Sequence, residues 1–366
     1  MEQHNLGPEW RHVHQLGRGS FGAVQLYEHI PTQKAYAVKF VERGETIDDA
    51  VKKEVINHSM LQHNNIARFK EVILTDSVLA IVMEYASGGD LFSYVQQQRQ
   101  RRLPENIARY FFQQLISGLG YMHSQQMCHR DMKLENTLLD GDPPKIKLCD
   151  FGYSKSSQWQ SKAKSKVGTA AYIAPEVIVA RSGSNYDGTA SDVWSSGVVL
   201  HTMLMGIYPF CDLNHPNDEV STIKRIMSFS RREIEYEPPR HVSDECKFLL
   251  SRMLTANPME RITVNDIILT PWFQTNLPRE FSLQGVAPSP AESPAQPLND
   301  VYAVLNQASV PRIQPSCSGL SDIPEMHDEL EMVTDLTPTN SILGSQDFTG
   351  MASMDSLPDG FSHMTD

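Results

Sequence analysis

Cysteine is scarce in this chain. Its 366 residues include five cysteines, which are Cys128, Cys149, Cys211, Cys246 and Cys317. Their number is odd, they are widely spaced, and no C-x-x-C pair occurs, so the sequence gives no support for a disulfide framework or a structural zinc site. A reducing compartment is therefore expected.

Long apolar runs are also missing. No stretch reaches the ~18 consecutive apolar residues that a membrane-spanning helix needs, and the polar first ten residues do not resemble a secretory signal peptide. The second residue is Glu2, where myristoylation needs glycine. We therefore expect no membrane association and a cytoplasmic and/or nuclear location.

Basic residues are absent from the C-terminal part of the chain. Residues 313–366 contain ten acidic residues and no Lys or Arg. Of the formal net charge of -12, residues 1–312 therefore carry -12 minus -10, or -2. Such a nearly neutral body argues against nucleic acid as a partner. The length is enough for about two domains of ~150 residues each.

One short motif near the middle of the chain has a spacing that suits phosphoryl transfer. Residues 128–136 read C-H-R-D-M-K-L-E-N, which fits the catalytic-loop pattern H-R-D-x-x-x-x-N. In this pattern Asp131 would accept the proton of a substrate hydroxyl that attacks the γ-phosphoryl of ATP, and Asn136 would offer an oxygen to Mg2+. Taken alone, the match is also compatible with a chance tetrad in a turn.

A glycine-rich hairpin is predicted near the N-terminus. Residues 13–26 alternate short apolar runs around G-x-G-x-x-G-x-V, and glycines let backbone N–H groups approach phosphate oxygens. In a dinucleotide-binding fold this motif would open a helix, whereas a strand follows here. An ordinary glycine-rich turn is the alternative. The predicted nucleotide-binding residues of the hairpin are Leu16, Gly17, Arg18, Gly19, Ser20, Phe21, Gly22, Ala23 and Val24.

Lys39 is the one charge within an otherwise apolar predicted strand. A buried charge is unfavourable unless it is paired. The helix predicted over residues 47–61 carries Glu54 beside its apolar stripe. We therefore predict a Lys39–Glu54 ion pair, with the α- and β-phosphates of ATP as the second partner of the lysine. The alternative is a solvated Glu54, with Lys52 or Lys53 pairing locally.

A hinge is predicted after the next two strands. Strands at residues 72–74 and 78–83 lead into the polar, glycine-rich residues 84–90. The adenine ring of ATP would pair with backbone groups of this segment. The ATP-contacting residues predicted here and on the preceding strands are Ala37, Met83, Glu84, Ala86 and Asp90.

Two further motifs follow the catalytic loop. Helical patterns at residues 91–98 and 104–124 precede the loop, and after it an apolar strand ends in D-F-G. Asp150 of that triplet would hold the Mg2+ that bridges the β- and γ-phosphates. An A-P-E triplet at residues 174–176 ends the activation segment, which begins at the D-F-G triplet.

With these five motifs in this order, residues 10–273 resemble the eukaryotic protein kinases. The resemblance implies an α+β fold of two lobes: a small β-rich N-lobe with one helix (about residues 10–85) and a larger, mostly helical C-lobe (about residues 86–273), after an N-terminal arm of residues 1–9. It implies ATP and Mg2+ as cofactors. Lys133 would be catalytic and typical of the serine/threonine branch, and Glu176 would pair with Arg261.

Residues 84–92, 128–140 and 150–157 resemble one group more closely, the second subfamily of the plant sucrose-non-fermenting-related kinases. That group responds to osmotic stress and abscisic acid. Two positions depart from its pattern: Ala170 stands where proline is usual, and Lys166 stands where Ser or Thr is common.

Two other functions remain open from the sequence. One is a kinase of the neighbouring AMP-activated or calcium-regulated type. The other is a pseudokinase scaffold that binds partners without catalysis. A scaffold would be indicated by loss of one of four residues that are all present, Lys39, Asp131, Asn136 and Asp150.

The C-terminal part divides into three predicted segments. Residues 278–296 form a linker, acidic residues 312–366 form a disordered tail, and residues 297–311 form a short amphipathic helix. The resemblance implies that this regulatory helix packs against the Glu54 helix, and that the tail docks type 2C phosphatases. An exposed, fraying helix and a merely solubilising tail are the alternatives.

Regulation and specificity are predicted at a few side chains. Activating phosphorylation is expected at Ser165 and secondarily at Ser161, with Arg130 as the partner of the phosphate. Protein substrates are expected to carry an upstream basic residue, because Glu135 and Asp90 can pair with it. The alternative is that Asp90 binds only the ribose of ATP.

Overall fold

A computed structural model describes residues 4–19, 22–151, 169–180, 186–215, 218–281 and 295–310. The predicted α+β architecture is confirmed, with a β-sheet lobe followed by a mostly helical lobe. The first lobe is an antiparallel sheet of five strands in the order β1-β2-β3-β5-β4. Its strands are β1 (Trp10–Gly19), β2 (Gly22–His29), β3 (Lys34–Glu42), β4 (Phe69–Leu74) and β5 (Val78–Glu84).

One face of this sheet is covered by helix α1 (Asp49–Met60). The helix begins where the Asp48 carboxylate accepts a hydrogen bond from the backbone N–H of Val51, a typical N-cap. Its inward side chains, Val51 and Val55, join apolar residues of β3, β4 and β5 in one cluster. Alternation along the strands sends the other side chains to the opposite face.

The opposite face of the sheet is covered by the N-terminal arm. Leu6 is buried there in a second cluster that includes Tyr27 and Phe40. The Tyr27 hydroxyl donates to the backbone carbonyl of His4 at 2.7 Å, and the rings of His4 and Phe40 lie 4.5 Å apart. Leu6 is therefore part of the core of the first lobe, and it holds the N-terminal arm against the sheet.

The second lobe is built around helix α5 (Gly188–Met205), most of whose side chains are buried. The Asp187 carboxylate caps its N-terminus, and Gly206 at φ 74° ends it, where an added Cβ would collide with the carbonyl of Arg101. The other helices are α2 (Leu91–Gln97), α3 (Glu105–Ser124), α4 (Pro175–Val179), α6 (Glu219–Ser230), α7 (Asp244–Met253), α8 (Val264–Ile267) and α9 (Pro271–Gln274). A small hairpin of β6 (Thr137–Asp140) and β7 (Lys145–Leu148), together with three 3-10 turns at Leu134–Asn136, Thr169–Tyr172 and Arg279–Phe281, completes this lobe.

The last described element, helix α10 (Leu298–Ala308), returns to the first lobe. Its buried side chains Val301, Leu305 and Ala308 join the cluster that contains Val51 and Val55 of α1. An amphipathic helix of 11 residues is marginal alone, so this tertiary contact supplies its apolar face with a partner.

The predicted linker between the kinase region and α10 is held at both of its described ends. Phe281 is buried near Tyr110, with ring centroids 6.1 Å apart. At the other end, the backbone N–H of Gln296 donates to the carbonyl of Lys70 on β4 at 2.9 Å. The exposed edge of β4 explains this contact, because its backbone groups need partners.

Among the described residues, the helices are all too short or too polar to cross a lipid bilayer.

Candidate active site

The structure brings Lys39, Glu54 and Asp150 together. The Lys39 Nζ lies 3.0 Å from Glu54 Oε1 and 3.5 Å from Asp150 Oδ1. Burial alone would lower the pKa of Lys39, but the two carboxylates raise it above its usual value, so the lysine stays charged. The side chain that is predicted to neutralise phosphate is therefore held as a cation between the two lobes.

The glycine-rich hairpin lies beside this lysine. Its β2 residue Val24 pairs across the sheet with Lys39. Gly22 approaches β3 so closely that an added Cβ would collide with the carbonyl of Phe40, and this position therefore requires glycine. A register shift in β1 falls between Gln15 and Gly17 and leaves Leu16 partly exposed.

The other predicted nucleotide-binding residues line the same end of the sheet. Ala37 on β3 pairs with Met83 on β5, and Glu84 ends that strand. Ala86 is buried just beyond. Gly17, Ala23 and the backbone of Arg18 and Gly19 lie in the hairpin strands, whereas Ser20 and Phe21 lie outside the described residues.

The hinge segment is fixed to the second lobe by backbone hydrogen bonds. Gly88 donates to the carbonyl of Leu139 at 2.7 Å, and Leu139 donates back to Gly89 at 2.8 Å. A Cβ at Gly88 would lie 2.8 Å from that same oxygen, so glycine is needed for the close approach. The Glu84 side chain pairs with Lys147 at 2.7 Å, and the Glu84 N–H donates to the carbonyl of Arg68 at 2.8 Å, so both groups have partners within the protein.

In the catalytic loop, Asp131 is held by two neighbours. Lys133 Nζ lies 2.7 Å from Asp131 Oδ2, and Asn136 Nδ2 donates to the same oxygen at 2.8 Å. Burial opposes the charge of Lys133, but Asp131 raises the pKa of the lysine above its usual value. A carboxylate with two donors on one oxygen presents its other oxygen in a fixed direction, which suits a general base.

The loop itself is positioned by Asp192 of α5. Its buried carboxylate accepts from the backbone N–H of His129 at 2.9 Å and of Arg130 at 2.7 Å, and His123 Nε2 lies 2.9 Å away. Arg130 has φ 64°, a left-handed conformation that is uncommon for a residue other than glycine. This role of Asp192 was not predicted from the sequence, because a contact between distant segments has no local pattern.

A column of rings links this loop to the first lobe. The Phe151 ring lies 5.4 Å from His129 and 4.7 Å from His58 of α1, and His58 lies 5.8 Å from Phe69 of β4. His58 Nε2 donates to the carbonyl of Ala67 at 2.7 Å, and burial lowers the pKa of His58 to about 4. No role for His58 was predicted from the sequence. Its position one helical turn after Glu54 was the available signal.

The residues predicted to hold a divalent cation supply suitable ligand atoms. Asn136 uses its Nδ2 to donate to Asp131, which leaves Oδ1 as the atom for a cation. Burial opposes the charge of Asp150, but Lys39 and Lys133 lower the pKa of this carboxyl below its usual value, so it is ionised. A carboxylate oxygen and an amide oxygen are ligands that Mg2+ accepts, and the donor set therefore fits that ion.

The end of the activation segment is anchored by a buried ion pair. Arg261 Nη1 and Nη2 lie 2.6 and 2.8 Å from the two carboxylate oxygens of Glu176, a bidentate geometry. Arg261 also donates to the carbonyls of Ala190 and Thr255. The predicted phosphorylation sites Ser161 and Ser165, like Lys166, lie outside the described residues.

The carboxylates that are predicted to recognise substrate lie near one another, with the ammonium group of Lys133 close to them. Burial raises the pKa of Glu135, the charge of Lys133 opposes this rise, and the charges of Asp90 and Asp131 add to it. Asp90 caps α2, accepting from the backbone N–H of Ser93 at 2.7 Å and from its hydroxyl at 2.9 Å.

Known proteins resemble this chain over most of its length. The protein kinase domain family matches residues 10–273. Serine/threonine-protein kinase SRK2D of Arabidopsis thaliana is 47% identical over 335 residues, which cover 90% of this chain and 89% of that protein. Serine/threonine-protein kinase SAPK2 of Oryza sativa subsp. japonica is 49% identical over 305 residues, covering 82% and 87%. SAPK9 of the same rice subspecies is 46% identical over 333 residues, covering 89% and 90%.

The chain therefore belongs to the protein kinase family, and it is a serine/threonine kinase. Within that family it is a member of the second sucrose-non-fermenting-related subfamily, as its sequence motifs indicated.

Proposed function

We propose that this kinase transfers the γ-phosphoryl of ATP, with Mg2+, to Ser or Thr of proteins that carry an upstream basic residue. We place it in signalling of the osmotic-stress and abscisic-acid type. The observation that carries the proposal is the joint geometry of the Lys39–Glu54–Asp150 triad and the Asp131–Lys133–Asn136 group.

The chain's own residues suffice to position both reactants. Lys39, kept charged by Glu54 and Asp150, binds the α- and β-phosphates. Asp131 orients the substrate hydroxyl and accepts its proton as the hydroxyl oxygen bonds to the γ-phosphorus and ADP leaves. Lys133 offsets the charge that develops at the transferred group. Asp150 and Asn136 would hold Mg2+, which neutralises charge on the β- and γ-phosphates when bound. Positioning and electrostatic stabilisation are most of what phosphoryl transfer requires.

Activity is tested with the full chain, a basic peptide and labelled ATP. Asp131→Asn removes the base and Lys39→Met removes the phosphate partner, so each variant should lose transfer by about 100-fold or more. Thermal melting serves as the folding control. Near-normal labelling by either folded variant would overturn the assignment.

Activation is proposed to depend on phosphorylation at Ser165, and secondarily at Ser161. The buried Nε of Arg130 has no hydrogen-bond partner among the described residues, and the guanidinium lies 5.5 Å from the Tyr186 ring. A phosphate brings about -1.5 to -2 charges and can order a loop by pairing with arginine. Full activity of the Ser161→Ala, Ser165→Ala double variant would contradict this role.

Helix α10 is proposed to be a regulatory element that supports basal activity. It packs on α1, the helix that carries Glu54, through Val301, Leu305 and Ala308.

By resemblance to the subfamily, the acidic tail is proposed to dock type 2C phosphatases. The protein is proposed to be cytoplasmic and/or nuclear. Pull-down of a phosphatase by the full chain but not by a chain ending at Gln314 tests the docking.

A further inference from the structure

The C-terminal end of α10 meets the segment that joins β3 to α1. Arg43 Nε donates to the carbonyl of Val310 at 3.2 Å, and its Nη2 donates to the carbonyl of Gln307 at 3.4 Å. The neighbouring Gly44 N–H donates to the carbonyl of Ala308 at 2.9 Å. The last carbonyls of a helix have no partners within the helix, and a cation beside them is favourable for the helix dipole.

Arg43 is itself fixed to the sheet. Its backbone N–H donates to the carbonyl of Ser77 at 3.0 Å, and its Nη1 lies 3.5 Å from the carbonyl of Thr75, so the residue is tied to the turn between β4 and β5. One guanidinium thus spans two elements, the sheet turn and the end of α10. A lysine ammonium cannot reproduce this fork, because it is a compact point charge.

The opposite end of α10 is tied to the same sheet. Gln296 uses its N–H toward the carbonyl of Lys70 at 2.9 Å, and its Oε1 accepts from the N–H of Val72 at 2.9 Å, both on the edge strand β4. Between the two attachments the buried face of the helix packs on Val51 and Val55 of α1. Arg43 follows Lys39 by four residues. The contact between Arg43 and α10 therefore lies just beyond the end of β3, the strand that carries the catalytic lysine.

We propose that Arg43 is a positioning residue that latches α10 to the sheet and thereby keeps α1, with Glu54, within reach of Lys39. This inference rests on the proposed role of α10 in basal activity. It goes beyond that role because it assigns the docking of the helix to a polar contact at its C-terminus, in addition to its apolar face.

The test uses the full chain with Arg43→Gln, which removes the fork and the charge, and Arg43→Lys, which keeps the charge alone. Arg11→Gln is the matched control, because Arg11 is an exposed arginine of β1 that pairs with Glu28. Amide hydrogen exchange is followed in residues 298–308, and KM for ATP and kcat are measured in parallel. Arg43→Gln should speed exchange in α10 by about tenfold or more and raise KM for ATP several-fold. Arg43→Lys should recover part of both effects, and Arg11→Gln should match the unaltered chain.

A double variant separates a latch from general stability. Leu305→Ala loosens α10 from its apolar side, so Arg43→Gln and Leu305→Ala together should change KM for ATP by less than the product of their separate effects. Independent, multiplying effects would overturn the proposal, as would faster α10 exchange with unchanged kinetics or no effect of Arg43→Gln on exchange. If the unaltered chain phosphorylates no peptide, the proposed function is wrong. The hydrogen-exchange measurement then still decides whether Arg43 holds α10 in place.

Discussion

At the scale of single residues, a buried charge needs a partner, because an unpaired charge is unfavourable in an apolar environment. Glu54 supplies that partner for Lys39 at 3.0 Å, and the single charge in an apolar strand was the signal from which the pair was predicted. His58 was not assigned a role, because its place one helical turn after Glu54 indicates the inward face of α1 but does not show which side chains surround it. Its burial depends on Phe151 and Phe69, which come from other parts of the chain.

The buried His58 leads to a prediction for the pH dependence of stability. Burial lowers the pKa of His58 in the folded chain to about 4, compared with 6.5 for an exposed histidine. Between these values the unfolded chain binds the extra proton, so stability is present above pH 6.5 and is lost as the pH falls toward 4. His58→Leu removes this group. Between pH 6.5 and about 4.5, its free energy of unfolding should fall by roughly 2–3 kcal/mol less than that of the unaltered chain.

Chemical denaturation at a series of pH values measures this difference. His14→Leu is the control, because it makes the same substitution at an exposed histidine of β1. Burial also lowers the pKa of His63 to about 4 and the pKa of His201 to about 3. These two histidines are present in both variants, so they contribute the same pH dependence of stability to each. Parallel curves for His58→Leu and the unaltered chain would contradict the prediction.

Glu135 provides a second prediction at the residue scale, for substrate choice. Its carboxylate lies near those of Asp90 and Asp131, and a substrate arginine would be attracted to this group of carboxylates. Glu135→Gln should reduce the preference for a peptide with upstream Arg over its Ala counterpart by about 10-fold or more, since a charge-assisted hydrogen bond contributes roughly 1.5–3 kcal/mol.

The preference is measured as the ratio of kcat/KM for the two peptides. Glu71→Gln is the control, because Glu71 pairs with Lys70 on β4 in the other lobe. An equal preference in Glu135→Gln and the unaltered chain would assign recognition of the basic residue elsewhere.

At the scale of elements, the bounds of α10 show what a pattern can predict. Leu298, Val301, Leu305 and Ala308 share one helical face between two prolines, and the observed helix is Leu298–Ala308. The attachment of Gln296 to the edge of β4 was not predicted. A segment that pairs through its backbone and one amide has no side-chain periodicity, so only the folded neighbour reveals the contact.

The anchor of helix α4 gives a prediction at the element scale. Glu176 lies in the first turn of α4, and its partner Arg261 is buried with five hydrogen bonds to side-chain and backbone oxygens. Arg261→Leu leaves the carboxylate without its partner and several carbonyls without donors. The free energy of unfolding should fall by roughly 3–5 kcal/mol.

Urea denaturation measures this loss. Arg231→Leu is the control, because the Arg231–Glu233 pair is exposed and such pairs contribute about 0–1 kcal/mol. The double variant Glu176→Gln, Arg261→Leu should recover part of the loss, since no uncompensated charge remains. Equal losses of stability in Arg261→Leu and Arg231→Leu would show that the buried pair contributes no more than a surface pair.

At the scale of the whole molecule, the catalytic residues and most of the net negative charge lie in different parts of the chain. The described residues include the two lobes and α10, whereas ten acidic residues lie in residues 313–366. Lys39 of the sheet lobe reaches Asp150 of the helical lobe at 3.5 Å, so anything that shifts α1 or β3 changes a contact between the lobes. The motif order predicted this division into lobes. It could not predict that residues 4–9 cover the outer face of the sheet, because Leu6 is a single apolar residue in a polar segment.

Two truncations test how this division serves activity. A chain ending at Glu280 lacks α10 and exposes the apolar side chains of α1 and β4 that it covers. Burial of Val301 and Leu305 contributes roughly 1.5–3 kcal/mol each before ordering costs, which is comparable to the few kcal/mol that separate alternative conformations of a protein. This chain should therefore bind ATP more weakly and lose most autophosphorylation. A chain ending at Gln314 keeps α10 with its attachments at Gln296 and Arg43, so it should retain both properties while losing -10 of the formal net charge of -12. Titration with ATP measures binding, and labelling with ATP measures autophosphorylation. The Gln314 chain is the control for loss of the tail.

A point variant tests the same contact without removing any residue. Leu305→Asp in the full chain disrupts the packing of α10 on α1, so it should reproduce the behaviour of the Glu280 chain. If the two truncations behave alike, α10 has no role in holding Glu54 near Lys39.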